Sequence, residues 1–338
     1  MPTARPHLPA DARAWRVHRL GTPREALQLD TVPSRPPGPG EARVRVAAVG
    51  LNFPDLLLCA GRYQERPPLP FSPGYEASGT VVDTGPGSVL RAGQRVVVVP
   101  ELPNGAMCEY LTVPDEQLYP LPGDADLTAA AVLHIASVTA HLALHHRAGL
   151  RPGETVVVTG ATGGVGSAVI ALTRLAGARV VGVVTGAHKA AACLELGADA
   201  VVDLAADPDV VAQVRAATDG HGADVVVDAV GGTAFDALRR TAAFEGRIVT
   251  VGFTAGTIPS VPLNHVLLKN YAVLGLHVAA YRRANPELLR AVHGEVVHLW
   301  AAGSLRPRVH RAFAFDEAVA GLELLAGRSV VGRVVLRA

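Results

Sequence analysis

The sequence predicts an α/β protein with two domains, a β-rich domain and a doubly wound parallel sheet. Its 338 residues exceed the usual size of one domain, so we expect two hydrophobic cores. Short β-rich runs separated by proline and glycine extend from Ala14 to about Pro122. Beyond Pro122, strand and helix patterns alternate, as in a parallel sheet flanked by helices. The predicted domains are residues 1–126, residues 127–276, and a return to the first domain over residues 277–338.

In the β-rich part, the run Arg35–Gly40 favours a rigid turn over a flexible linker, because it is short and a strand follows it. Apolar spacing then predicts a helix over Leu127–His146 that bridges the two domains. The predicted strands of this first part are Ala42–Val49, Ala77–Val82 and Arg95–Val99.

The second part is predicted to alternate strands with helices, starting from the strand Thr155–Thr159 and a helix from about Val165. A terminal strand over Val330–Leu336 needs a sheet to pair with, so we expect it to rejoin the first domain. The further predicted strands are Arg179–Val184, Ala200–Asp203, Asp224–Asp228, Arg247–Val251 and Tyr271–Leu276. The further predicted helices are Lys189–Leu196, Ala234–Ala243 and Asp316–Gly327.

Composition limits the possible partners. The 31 basic and 30 acidic residues leave a net charge of +1, which provides no overall attraction for nucleic acid or an acidic membrane. A small-molecule substrate fits better. Three scattered cysteines are too few for a disulfide framework, which favours a reducing cytoplasmic location. The segment Met1–Arg13 has no apolar stretch typical of a secretory signal, and no apolar run is long enough to span a membrane.

A glycine-rich turn connects the predicted strand Thr155–Thr159 to an apolar helix, which is the context of a dinucleotide-binding fingerprint. Its small residues let the backbone approach a pyrophosphate, and the amides at the helix start favour an anion. Ala161 holds the position of the fingerprint's first glycine. A glycine turn alone also occurs in folds that bind nothing, but the β-α-β context favours a cofactor site. The expected cofactor residues of this turn are Ala161, Gly163, Gly164, Val165 and Gly166.

The segment after the second strand of this sheet indicates the type of cofactor. NAD-selective folds place an acidic residue about 20 positions beyond the glycines. No Asp or Glu occurs between Ser167 and Leu194, whereas Thr185 and Lys189 could bind a 2′-phosphate. NADPH is therefore the expected cofactor. The alternative is that Lys189 merely solvates the start of a helix.

Four motifs resemble the zinc-free quinone oxidoreductases, including zeta-crystallin, of the medium-chain dehydrogenase/reductase superfamily, and the likeness extends over nearly the whole chain. These motifs are Gly50–Leu57, Pro73–Gly79, Gly163–Gly166 and Leu267–Asn270. The resemblance implies a GroES-like catalytic domain, a Rossmann domain with a cleft between the two, and a homodimer in which two Rossmann sheets pair.

The resemblance also implies that no metal takes part. Zinc alcohol dehydrogenases of the superfamily have Cys where this chain has Asn52, and His where it has Tyr75. Glu76 remains, but one carboxylate does not hold a catalytic zinc, which needs about three ligands. The histidines around His141 and His145 are expected to be surface or core residues, because no carboxylate or cysteine partner is evident near them.

Without a metal to ionise an alcohol, the favoured reaction is reduction of an electron-poor double bond. Asn52 offers an amide donor and Tyr63 a phenol, and in the family the residues matching Asn52, Tyr63 and Thr139 line the cleft at the nicotinamide. Gly252 and Phe253 follow a predicted strand and should lie near the crevice where strand order reverses. The alternatives are a turn-stabilising Asn52, loop packing for Tyr63 and core packing for Phe253.

These features predict a zinc-independent, NADPH-dependent reductase of quinones or related α,β-unsaturated carbonyls. Two alternatives stay open: an enoyl-thioester reductase, and a crystallin-like protein that binds NADPH without turnover. One departure weakens the NADPH assignment, because some family members have a tyrosine after the third Rossmann strand, where Leu204 follows Asp203 here.

Overall fold

The computed structural model describes residues 8–338, which pack into two units. The first unit comprises the described part of Met1–Val132 together with Val309–Ala338, and the second is Leu133–Arg308. No secretory signal is predicted over Met1–Arg13, and residues 1–7 of this stretch lie outside the described residues. No helix within residues 8–338 is long and apolar enough to cross a membrane.

The strands, in chain order, are β1 Asp11–Val17, β2 Leu27–Pro33, β3 Glu41–Leu51, β4 Glu76–Thr84, β5 Arg95–Val98, β6 Tyr110–Pro114, β7 Leu118–Pro120, β8 Thr155–Thr159, β9 Arg179–Val184, β10 Ala200–Asp203, β11 Ala223–Asp228, β12 Ala242–Thr250, β13 Ala272–Gly275, β14 Val309–Ala314 and β15 Arg333–Arg337.

The α-helices are α1 Pro23–Ala26, α2 Phe53–Cys59, α3 Leu127–Ala130, α4 His134–His141, α5 Gly164–Leu175, α6 Ala187–Glu195, α7 Val210–Ala217, α8 Ala234–Leu238, α9 Leu263–Lys269, α10 Val278–Ala284, α11 Pro286–Ala301 and α12 Ala318–Ala326. A π-helical segment, Leu142–Ala148, continues α4, and short 3₁₀ helices cover Asp115–Gln117 and Phe315–Glu317.

The first unit is built on a mixed sheet in the order β14-β15-β3-β4-β5-β7, with β6 also paired to β3. Its long central strand β3 is buried along most of its length, since Val44, Val46 and Val49 all point into the core of this unit. The terminal strand β15 pairs antiparallel with β3, which confirms the prediction that the end of the chain rejoins the first domain.

The second unit is a parallel sheet in the order β10-β9-β8-β11-β12-β13. Its central strands carry runs of buried valine that pack against helices on both faces of the sheet. The strand order reverses between β8 and β11, and in such sheets ligands bind beyond the carboxyl ends of the strands at this switch point. The predicted fold class, a GroES-like β-rich domain with a Rossmann doubly wound sheet, is confirmed.

Two predicted helices differ from the observed ones. The helix predicted over Leu127–His146 is wrong as a single element, because α3 ends at Ala130 and α4 begins at His134. The turn between them contains the point where the chain passes from one unit to the other. The helix predicted over Ala234–Ala243 ends at Leu238, because Ala242 already pairs with Ala223 in the sheet.

The helix α11 was not predicted from the sequence. Asn285 precedes Pro286, the first helical residue, and its side chain accepts a hydrogen bond from Leu288 N at 3.1 Å. Buried Leu289, Val292 and Val296 then follow at helical spacing and pack into the core of the second unit. Residues 277–308, assigned from sequence to the return segment, consequently group with the second unit, while residues 127–132 group with the first.

Candidate functional site

In the first unit, a buried carboxylate joins the start of α2 to the loop before β4. Asp55 Oδ2 accepts a hydrogen bond from Asn52 N at 2.8 Å, and Asp55 Oδ1 accepts one from Gly74 N at 2.9 Å. Gly74 has φ +107°, and a Cβ there would lie 2.8 Å from Met107 N, so this loop requires glycine. Burial raises the pKa of Asp55 to about 7. The contact fixes the position of the next residues, Tyr75 and Glu76.

Asn52 belongs to a buried polar cluster with Glu76 and Arg333. Arg333 Nη2 donates to Asn52 Oδ1 at 2.8 Å and to Glu76 Oε1 at 2.5 Å. Asn52 Nδ2 donates to Gly50 O at 3.0 Å and to Glu76 Oε1 at 3.2 Å. Glu76 is fully buried, and Arg333 and Asn52 are nearly so. Since both hydrogens of the Asn52 amide have protein partners, Asn52 could donate to a substrate only by giving up one of these bonds.

Two tyrosines lie side by side in the same unit. The ring of Tyr63 meets that of Tyr75 edge to face, with 5.6 Å between the ring centroids. Tyr75 Oη donates to Glu65 Oε2 at 3.3 Å. Burial raises the pKa of Tyr63 to about 12, and burial also raises that of Tyr75. Both phenols are therefore protonated at neutral pH.

In the second unit, the glycine-rich turn forms an open helix start. Gly163 is the N-cap of α5 and carries no side chain that could cap the first amides of the helix, those of Gly164 and Val165. A Cβ on Gly166 would lie 2.4 Å from Gly160 O, so this position requires glycine for the helix to approach the strand. Ala161 is buried beneath the turn. The arrangement suits a phosphate group.

Two residues that the sequence analysis missed organise the switch point. Thr159 ends β8 and Asp228 ends β11, and Thr159 Oγ1 donates to Asp228 Oδ1 at 2.7 Å. The fully buried Asp228 also accepts hydrogen bonds from Val230 N and Gly231 N, at 3.1 and 3.0 Å. These bonds hold the loop after β11. A polar residue at the end of each of two valine-rich strands was the signal in the sequence.

A carboxylate on the neighbouring strand β10 contacts the segment after β9, which itself contains no Asp or Glu near the strand end. Asp203, the last residue of β10, accepts hydrogen bonds from Gly186 N at 2.7 Å and Ala205 N at 3.0 Å. These backbone amides hold the pKa of Asp203 below its usual range. Thr185 is exposed, and Lys189 is partly buried in the first turn of α6. Asp203 was not predicted as a residue of this site, because it lies on the next strand and far from the glycine turn in the sequence.

The remaining predicted site residues of this unit are Thr139, Gly252 and Phe253. Thr139 lies on α4, and its hydroxyl donates to Ile135 O at 2.6 Å within the helix. Gly252 and Phe253 follow the end of β12 and are partly buried. A Cβ on Gly231 would lie 3.0 Å from Phe253 Cδ1, so Phe253 contacts the loop that Asp228 holds.

The histidines of α4 and the π-helical segment have partners on α11. His141 Nε2 lies 2.7 Å from Glu295 Oε2, and the buried His134 and His293 lie 2.9 Å apart through their Nδ1 atoms. The expectation that no carboxylate lies near His141 was wrong, because α11, which carries Glu295, was not predicted. Within residues 8–338, no group of three or more His, Cys, Asp or Glu residues is arranged to hold a metal.

Comparison with known proteins agrees with both units. A model of the alcohol dehydrogenase GroES-like domain matches residues 38–123, and a model of the zinc-binding dehydrogenase family matches residues 164–294. The quinone oxidoreductase-like protein 2 homolog of Nematostella vectensis is 36% identical over 327 residues, covering 96% of this chain and 88% of that protein.

Solved structures give the same assignment. The quinone oxidoreductase of Pseudomonas syringae pv. Tomato DC3000 superposes with a TM-score of 0.89 at 28% identity, covering 97% of this chain and 100% of that one. The Escherichia coli quinone oxidoreductase, solved in complex with NADPH, gives a TM-score of 0.89 at 27% identity, with the same coverage. The chain therefore belongs to the quinone oxidoreductase-like, zeta-crystallin-like family of oxidoreductases in the medium-chain dehydrogenase/reductase superfamily.

Proposed function

We propose that this protein is an NADPH-dependent reductase of quinones or related α,β-unsaturated carbonyls, and that it works without zinc. The observation that carries the proposal is the buried ion pair of Glu76 and Arg333 beside Asn52. In this pair, Arg333 binds the carboxylate of Glu76, the residue that remains of the zinc ligand set. The other two ligand positions hold Asn52 and Tyr75.

Each of the three side chains is a poor zinc ligand in this setting. The Glu76 Oε1 atom accepts hydrogen bonds from a guanidinium and from an amide, so zinc binding would have to displace a buried cation. Asn52 has a neutral amide where a thiolate would be needed. Burial and the nearby Glu65 carboxylate keep the Tyr75 phenol protonated. A catalytic zinc needs about three good donors, and this set does not supply them.

The second unit fits a dinucleotide phosphate. The uncapped start of α5 presents backbone amides to the pyrophosphate, and Gly163 leaves room for it beside the backbone. Thr185 and Lys189 would hold the 2′-phosphate, while the partly buried Phe253 and Thr139 would contact the nicotinamide. NADPH, when bound, supplies the hydride. The E. coli relative solved with NADPH supports this choice of cofactor.

The first unit would handle the oxygen of the substrate. Without a Lewis acid, an acceptor must already be electron-poor, which favours quinones and enones over alcohols. Tyr63 is a protonated phenol whose pKa of about 12 lets it act as a hydrogen-bond donor to an oxygen that gains negative charge. Asn52 would contribute mainly by fixing the Glu76–Arg333 cluster.

We also propose a homodimer in which the Rossmann sheets pair through β13. This strand ends the sheet order, and its Val273 is exposed. On the neighbouring α9, Leu263, Leu267 and Leu268 are each more than 70% exposed. An apolar sheet edge of this kind favours pairing with another strand. Size-exclusion chromatography with light scattering would detect a dimer. A cytoplasmic location stays a prediction.

The direct test of the reaction is NADPH oxidation with a panel of acceptors. The panel should contain quinones, simple enones and an enoyl thioester, with product analysis for each. Turnover of quinones or enones above the thioester supports the proposal. Preferred turnover of the thioester would instead support an enoyl-thioester reductase, and NADPH binding without turnover would indicate a non-catalytic binding protein.

A further inference from the structure

The carboxylate of Asp203 contacts the turn that begins α6. Asp203 is the last residue of β10, which pairs in parallel with β9, so its side chain lies beside the loop that follows β9. Asp203 Oδ1 accepts hydrogen bonds from Gly186 N at 2.7 Å and from Ala205 N at 3.0 Å. Gly186 has φ +100°, a conformation that glycine adopts without strain. The carboxylate therefore stabilises this turn.

The same turn carries both residues that would bind the 2′-phosphate of NADPH. Thr185 directly precedes Gly186, and Lys189 N donates to Gly186 O at 3.0 Å in the first turn of α6. A phosphate bound by Thr185 and Lys189 would thus be a near neighbour of the Asp203 carboxylate. Solvent screens two charges largely only beyond the Debye length, which is about 8 Å at physiological ionic strength. The carboxylate and the phosphate would therefore repel each other.

The surroundings of Asp203 keep its carboxylate charged at neutral pH. The backbone amides of Gly186 and Ala205 hold the pKa of Asp203 below its usual range, because they bind its ionised form. The charge of His188, exposed in the first turn of α6, acts in the same direction. The next residue, Leu204, packs against the core of the unit and has no hydroxyl that could bind a phosphate. The end of β10 thus presents a negative charge to the turn.

Building on the proposed NADPH-dependent function, we propose that Asp203 is a specificity-determining residue whose negative charge limits the preference for NADPH over NADH. NADPH carries a 2′-phosphate with about two negative charges, whereas NADH has a neutral hydroxyl, so the repulsion acts on NADPH alone. Lys189 attracts the same phosphate, and the preference is the balance of the two charges. NAD-selective folds place an acid after the strand that corresponds to β9. Here the acid comes from β10, so NADH remains a usable cofactor.

The test compares Asp203→Asn with the matched control Asp199→Asn. Asparagine keeps an oxygen that can accept the hydrogen bond from Gly186 N, so the substitution removes only the charge. Asp199 precedes the other end of β10, about 13 Å away, and its Oδ2 also accepts a backbone hydrogen bond, from Val180 N at 2.8 Å. Dissociation constants of the wild-type protein and both variants for NADPH and NADH would be measured by nicotinamide fluorescence, without an acceptor.

In Asp203→Asn, we expect the ratio of the NADH to the NADPH dissociation constant to rise about threefold to tenfold, because a like charge beside the phosphate is gone. The dissociation constant for NADH should change by no more than about twofold, since the turn keeps its hydrogen bonds. The rise should become smaller as salt is added, because salt screens the carboxylate of the wild-type protein. Asp199→Asn should keep the wild-type ratio.

An unchanged or lower ratio in Asp203→Asn overturns the inference, as does an equal rise in Asp199→Asn. Equally weakened binding of both nucleotides would show that Asp203 acts only by holding the turn, and it also overturns the inference. A rise that stays the same at high salt does so too. A wild-type protein that binds both nucleotides but reduces no quinone or enone overturns the proposed reaction alone, because the binding measurements do not depend on turnover. A wild-type protein that binds neither nucleotide overturns both.

Discussion

Replacing Arg333 by methionine would remove the cation of the buried cluster while keeping an unbranched apolar stem. Glu76 has no exposed surface, and the Arg333 side chain is only 8% exposed, so the charge left on Glu76 could not be hydrated in the folded state. Breaking such a pair from one side costs about 3–5 kcal/mol of unfolding free energy. Arg333→Met should therefore be destabilised by that amount, and adding Glu76→Gln should restore most of the loss.

Denaturant unfolding of the four proteins of this double-mutant cycle measures the coupling. The matched control is Arg24→Met, which breaks an ion pair with Glu323 whose two side chains are 72% and 41% exposed. The control should unfold close to wild type, because solvent screens exposed pairs. Additive effects of Arg333→Met and Glu76→Gln, or a cost no larger than that of the control, would refute the claim that the two residues form a tightly coupled buried pair.

Two further predictions concern pH and cofactor choice. The pKa of Asp55 is raised to about 7 in the folded state, against ~4 in an unfolded chain, so this group makes the protein less stable as pH rises from about 4 to about 7. In Asp55→Asn, the midpoint of thermal unfolding should lose this part of its pH dependence across that window. An unchanged pH profile would contradict the raised pKa of Asp55. Lys189→Ala should reduce the preference for NADPH over NADH by about tenfold or more, while leaving NADH kinetics nearly unchanged; an unaltered ratio in steady-state kinetics would show that Lys189 does not meet the 2′-phosphate.

Local patterns in the sequence were sufficient for the fold class but not for every helix. The valine-rich strands and the glycine turn before α5 follow from patterns within a few residues, because burial and turn geometry restrict residue types strongly there. The return of the terminal strand to the first domain was predicted from its need for a sheet, but its partner β3 was not. The 16-residue helix α11 was missed although Asn285 and Pro286 mark its start. The single helix predicted over Leu127–His146 was wrong because the chain passes there from one unit to the other. Apolar spacing does not reveal such a boundary.

The candidate site was predictable in its residue types and less so in its contacts. The replacements Asn52 and Tyr75 could be read from the sequence, but their partners come from distant parts of the chain. Arg333 lies 281 residues from Asn52, and it reaches the cluster only because β15 pairs beside β3. Asp203 likewise reaches the loop after β9 through sheet pairing. Contacts that depend on the order of strands in a sheet leave no local signal.

The proposed independence of the reaction from metal can be measured by NADPH oxidation with the best quinone or enone acceptor before and after removal of metals. The protein would be dialysed against a chelator, its zinc content measured by elemental analysis, and kcat determined with and without added zinc. A reaction that needs no metal predicts substoichiometric zinc, the same kcat after chelation, and no gain on adding zinc. Stoichiometric zinc that is lost together with activity, and that restores activity when returned, would contradict it.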